Sequence, residues 1–125
     1  MIDTTTATRP PAVTGQFYPA DALELRHKVE DMLSRSRDAK LAGPIRGLVA
    51  PHAGYPFSGQ TAAAAYRQIR GLPFETVVIL APSHKERCSI SVFPGEAYDT
   101  PLGSVQVDVK VGSCDSILQP GHRPV

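Results

Sequence analysis

The spacing of apolar positions changes along the chain, and the changes outline its elements. After VTGQFYP, Leu25, Val29, Met32 and Leu33 recur at the three- and four-residue spacing of one helix face, with Asp21 and Glu24 placed as a capping pair. This predicts a helix from Asp21 to about Ser36, exposing Arg26, Lys28 and Glu30. Residues 47–50, GLVA, are too few for a helix and too apolar for a surface loop, so they read as a buried strand. An alanine-rich run from Ser58 through Tyr66 and Ile69 predicts a second helix, ended after Arg70 by Gly71 and Pro73. Residues 76–81, TVVILA, are β-branched and apolar without alternation, the pattern of a strand covered on both faces in a parallel sheet. Residues 47–81 therefore predict a strand-helix-strand unit, and the fold class is α/β with a parallel sheet.

The remainder is read in the same way. Residues 89–93 suggest a short strand, and AYDTPLGSVQVD predicts two strands joined around Pro101, Leu102 and Gly103, the glycine taking a positive φ. Val105, Val107, Val109 and Val111 alternate as in a half-buried strand, and no period follows Gly112. Residues 1–11, with four threonines and two prolines, have the composition of a disordered tail, so the body of the domain is expected over residues 12–108.

Composition narrows the classes. A chain of 125 residues that is 42% apolar is enough for one domain. Thirteen Lys and Arg against twelve Asp and Glu give a net charge of +1 without a long run of one sign, which argues against nucleic acid and against an anionic membrane. No basic segment leads into an apolar core at the N-terminus, and no stretch has the length of a spanning helix. A cytoplasmic, soluble protein is expected. Cys88 and Cys114 form no C-x-x-C pair and are read as reduced thiols.

The candidate chemistry lies where the two expected strands end. The first ends VAPH and the second LAPSH, which puts His52 and His84 just past the carboxyl ends of two parallel strands, the edge at which open α/β sheets bind ligands. Neighbouring strands lie about 4.8 Å apart, so two imidazoles on that edge can share one ion. A lone loop histidine is more often hydrogen-bonded or merely exposed, the reading given to His27 and His122; the repeated pattern is what raises His52 and His84 to metal ligands. Two histidines are an incomplete set, because an open catalytic site usually has three protein ligands. Cys88 reads as a small buried hydrophobe, and Glu96, Asp99 and Asp108 as solvated or turn-forming.

The loop GYPFSGQT, residues 54–61, nearly matches G-x-x-x-x-G-K-[ST] but has Gln60 in place of the lysine, and Pro56 removes a backbone donor. Nucleotide hydrolysis is rejected. A weaker expectation remains, that the start of the second helix near Ser58 favours an anion such as a small acid or an anionic peptide, against the plainer reading of Ser58 as a helix cap. Phe17, Tyr18, Tyr55 and Phe57 are candidate pocket walls, or simply core aromatics. Ser83 lies outside any G-x-S-x-G elbow, no triad can be assembled, and no catalytic acid, base or nucleophile is assigned.

Phe17-Tyr18-Pro19, Ala50-Pro51-His52-Ala53-Gly54-Tyr55, Pro82-Ser83-His84 and Thr100-Pro101-Leu102-Gly103, in that order, resemble the amino-terminal part of the Memo family, whose prokaryotic members are called AmmeMemoRadiSam system protein B. The resemblance covers about residues 11–108, and PHAGY together with PSH is its specific part. It implies a fold similar to the class III (non-haem iron) extradiol dioxygenases, a pocket in which histidines matching His52 and His84 hold an iron or copper ion, redox activity, and partner recognition at the same pocket. Pocket-lining positions of the family fall on Phe17 and Phe57, where relatives carry Trp and Tyr. Family members are more than twice as long, and residues 109–125 do not match them, so neither Cys114 nor His122 inherits a role. The resemblance therefore implies an incomplete form of the domain. Two functions are carried forward: a metal-binding, dioxygenase-like redox protein, and a non-catalytic module for a small molecule or anionic peptide. An inactive fragment is the third outcome.

Overall fold

The computed structural model describes residues 8–84 and 91–112. These residues form a mixed α/β fold whose contacts separate into two compact units, one built on residues 11–74 with 100–103 and the other on the remainder. Among the described residues no helix is long and apolar enough to cross a membrane.

The first unit is helical. Helix α1, Ala22–Arg35, begins where expected: Asp21, at φ −73° and ψ 131°, accepts the Glu24 amide on its carboxylate at 2.8 Å, satisfying one of the otherwise free N–H groups of the first turn. Its apolar stripe buries Leu25 and Met32. The helical path that faces it begins with one widened turn, a π-helical turn at Tyr55–Gly59, continues as α2, Gln60–Tyr66, and tightens to 3₁₀ at Arg67–Ile69. Gly71 follows at φ 77°, the left-handed stop expected there.

Helices α1 and α2 pack against one another through Met32 and Ala63, and polar side chains tie their ends. The Gln60 amide donates to the Met32 carbonyl at 2.9 Å and to Ser36 Oγ at 3.0 Å. Arg67 forks onto Asp38 at 2.7 and 3.1 Å and Arg70 reaches Glu30 at 2.8 Å. The guanidinium beside Asp38 holds its carboxyl below the ordinary carboxylate range, although both ends are solvated and such pairs contribute little. Replacing Asp21 by alanine is expected to cost about 1 kcal/mol through the lost cap. Urea unfolding would show it as a lower midpoint at unchanged slope, and an unmoved midpoint would remove Asp21 from the forces that start α1.

The second unit carries most of a three-stranded sheet of order β1-β2-β3, formed by Thr8–Arg9, Ala97–Thr100 and Gly103–Gln106. β1 runs parallel to β2, with Thr8 opposite Ala97 and Arg9 opposite Tyr98, so ordered chain begins ahead of residue 12. β2 and β3 are hydrogen-bonded neighbours joined by Pro101 and Leu102, a connection that requires them to be antiparallel. Val107 N extends their pairing to Glu96 O at 2.8 Å. Gly103 sits at φ 128°, as the turn was expected to need.

Three expectations are corrected. Residues 47–50 and 76–81 take no regular structure, and Val49 is 98% exposed. The helix between them forms, but the flanking strands do not: a strand apolar on both faces is stable only with paired edges and covered faces, and the described residues provide neither. Residues 91–93 likewise form no strand, and residues 89 and 90 lie outside the described residues. The valine alternation fails after Gln106, because Asp108 captures the backbone. Its carboxylate accepts the amides of Lys110 and Val111 at 3.2 and 3.3 Å and starts a short helix, α3, Val109–Gly112.

Candidate functional site

His52 stands in a loop whose backbone is fixed on its carboxyl side. Tyr55 N donates to Phe17 O at 2.8 Å, Ser58 Oγ donates to Ala53 O at 3.1 Å, and Gly54 is buried against Phe17, where an added Cβ would come within 3.4 Å of the Phe17 Cα. The Phe17 segment is itself folded back: Phe17 N donates to Val13 O at 2.9 Å and Gly15 N to Tyr18 O at 2.8 Å, with Gly15 at φ 75°. Two sequence-distant turns thus hold each other through the backbone. That is why FYP and PHAGY occur as separate motifs but serve one place.

Beneath the loop lies a cavity of about 580 Å³, lined mainly by apolar side chains. His52, Tyr55, Ser58 and Phe17 are on its wall, and Met32 and Val29 bring α1 to it. Of the sequence-derived pocket residues, Phe17, Tyr55 and Ser58 are therefore brought together with His52. Phe57 is not: it is 87% exposed and lies outside the lining. Met32, Val29 and Tyr66 were read only as helix faces; their stripe was the available signal, because a stripe buried on a neighbouring helix also walls whatever that helix leaves open.

The polar groups of the wall are few. Tyr55 packs its ring 5.7 Å from that of Tyr18, tilted by 43°. Burial pushes its phenol above the ordinary range, and the neighbouring Tyr18 and Tyr66 add repulsion against a phenolate. Ser58 does not cap a helix: its hydroxyl is used on Ala53 O inside the widened turn. The first amides of that turn are also used, Tyr55 N on Phe17 O and both Phe57 N and Ser58 N on Gly54 O, while Pro56 has none. An anion at the start of this helical path would find these donors already engaged.

A family model for Memo-like proteins matches residues 9–118, so the match runs into the stretch after residue 108 that was expected to diverge. The chain belongs to the Memo family. It is similar to a MEMO1 family protein of Methanopyrus kandleri, 46% identical over 112 residues, with 80% of this chain and 38% of that protein covered. It also matches Protein MEMO1 of Danio rerio, at 41% identity over 100 residues covering 78% and 32%, and a MEMO1 family protein of Aquifex aeolicus, at 43% over 101 residues covering 80% and 36%. The chain thus spans about a third of the length of these curated relatives.

Within this Memo-family chain the two histidines fall in different units, His52 in the helical one and His84 at the end of the apolar run of the other. Cys88 lies outside the described residues, as do Cys114 and His122. Among the described residues no group of three or more His, Cys, Asp and Glu is gathered as a metal would need. Asp108 is engaged elsewhere, accepting the Thr76 hydroxyl at 2.7 Å. That bond and the Val111 amide hold its carboxyl below the ordinary range. Asp99 bonds Ser104 within the hairpin, the local role expected of it.

Proposed function

We propose that this Memo-family chain contributes two imidazole ligands, His52 and His84, to a redox-active iron or copper site of dioxygenase-like type in the cytoplasm. The observation that supports the reading most directly is His52 at the wall of an apolar cavity, in a chain where Pro82-Ser83-His84 repeats the proline-histidine feature of Pro51-His52. Neutral imidazole suits both ions. The donor set fits an open site only in part, since two ligands are present where three are usual and the described residues gather no third. The ion, when bound, would supply electron transfer and Lewis acidity.

The chain's own residues do the rest. The cavity volume sets a size limit near that of a small molecule. The Phe17–Tyr55 backbone bond fixes the loop behind His52. Phe57, outside the lining, contributes nothing to the cavity as it stands.

Titration of the purified chain with Fe(II) and with Cu(II), followed by calorimetry, tests the reading against a His52→Ala/His84→Ala variant with matched circular dichroism. One ion bound by the native chain and at least a hundredfold weaker binding by the variant is expected. Equal binding by both, with both folded, would sink the metal assignment. The alternative reading as a module for an anionic peptide or small acid is not favoured, because the amides it would use are occupied.

A further inference from the structure

The cavity of about 580 Å³ has a wall that is poor in charge as well as in polarity. Among the described residues that line it, none carries a carboxylate, an ammonium or a guanidinium group. Val29, Met32 and Leu33 reach it from α1, and Ala62, Ala63 and Tyr66 from α2. An ion placed there would give up its hydration and meet no lysine, arginine or carboxylate in exchange. The hydrogen-bond donors of the loop are committed as well. Ser58 Oγ donates to Ala53 O at 3.1 Å, and the Phe57 and Ser58 amides donate to Gly54 O at 2.9 and 3.2 Å. Burial already raises the phenol of Tyr55 on this wall, and the same desolvation acts against any other negative charge brought beside it.

We infer that this cavity is a binding site for an uncharged, largely apolar small molecule, held by packing against α1 and α2 and not by ion pairing. The volume lies within the range of small-molecule pockets, roughly 300–1,000 Å³. Phe17, Tyr18, Tyr55 and Tyr66 bring aromatic rings to the wall, and the polarizable thioether of Met32 adapts to the outline of a ring or an aliphatic chain. A peptide is the poorer occupant, because its own N–H and C=O groups would need partners that the loop has already spent. The inference deepens the proposed function by naming what the space beside His52 admits, yet it is tested with chelator present. Failure of the metal titration therefore leaves it standing, and its own failure leaves the two histidines as ligands.

The test is fluorescence titration of the full chain with N-phenyl-naphthylamine, an uncharged dye, and with anilinonaphthalene sulfonate, which adds a sulfonate to the same rings. Saturable binding of one neutral dye per chain is expected, with the sulfonate bound at least tenfold more weakly. The chain has two methionines, so the Met32 methyl resonance is identified by its loss in Met32→Leu, and in the native chain it should shift as the neutral dye saturates. Ala62→Phe and Val29→Phe fill part of the cavity from different helices. Each should weaken binding of the neutral dye at least tenfold while circular dichroism stays native. No binding, equal affinity for the two dyes, an unmoved Met32 methyl at saturation, or full binding by a folded variant would each overturn the inference.

Discussion

Met32→Ala is expected to lower the stability of the chain by about 2–5 kcal/mol, the range for a buried methionine truncated in a core. Met32 is 8% exposed and is one of three buried apolar side chains in the helical unit, with Leu25 and Ala63. It stands at the crossing of α1 with the widened turn, its Sδ against Gly59. The hydrogen bonds from Gln60 and Ser36 to the Met32 carbonyl are made by the backbone and survive the substitution, so the loss is one of packing. The space vacated joins the cavity that Met32 already lines. Since small domains have only about 5–15 kcal/mol in total, the effect should be plain in urea melts. A change under about 0.5 kcal/mol would mean that Met32 is not part of the core.

Gly59→Ala should destabilise by about 1 kcal/mol, and its sign should reverse beside Met32→Ala. Gly59 has helical backbone angles, φ −57° and ψ −43°, so alanine ought to be favoured there by about 0.5–1 kcal/mol. Against this, the new methyl would lie 2.7 Å from Met32 Sδ and 3.3 Å from Tyr55 Cβ. The thioether can turn away only by leaving its buried position, and overpacking of this kind costs about 1–3 kcal/mol. The steric cost wins in the native chain. With Met32 shortened the nearest clash is gone, only the Tyr55 contact remains, and the helical preference prevails. A double-mutant cycle measures this directly, and additive effects would show that the two residues do not meet in solution.

These two residues also show what the sequence made legible. Met32 was readable because its stripe recurs at helical spacing behind a capping aspartate, and local pattern suffices where a helix satisfies its own backbone. Gly59 was legible only as part of a failed phosphate-loop motif. Its role depends on which side chain lies opposite, a contact across 27 positions that no period encodes. The hairpin at Gly103 followed from turn chemistry that is complete within four residues. The apolar runs at 47–50 and 76–81 were read as strands from composition, but a strand is completed by its neighbours, and pattern alone does not say whether those are at hand. Similarly, Phe17 and Tyr55 were found through motifs, whereas the exposure of Phe57 follows from how the widened turn directs its side chain.

The parallel pairing of Thr8 with Ala97 has a consequence for how the chain is made. The partners are roughly 90 residues apart, and at translation rates of about 5–20 residues per second the first strand waits on the order of 5–20 s before its partner exists. The helices of the first unit, residues 22–69, lie within that interval and can form while the first strand is still alone. A strand made before the helices is thus among the last elements to find its place.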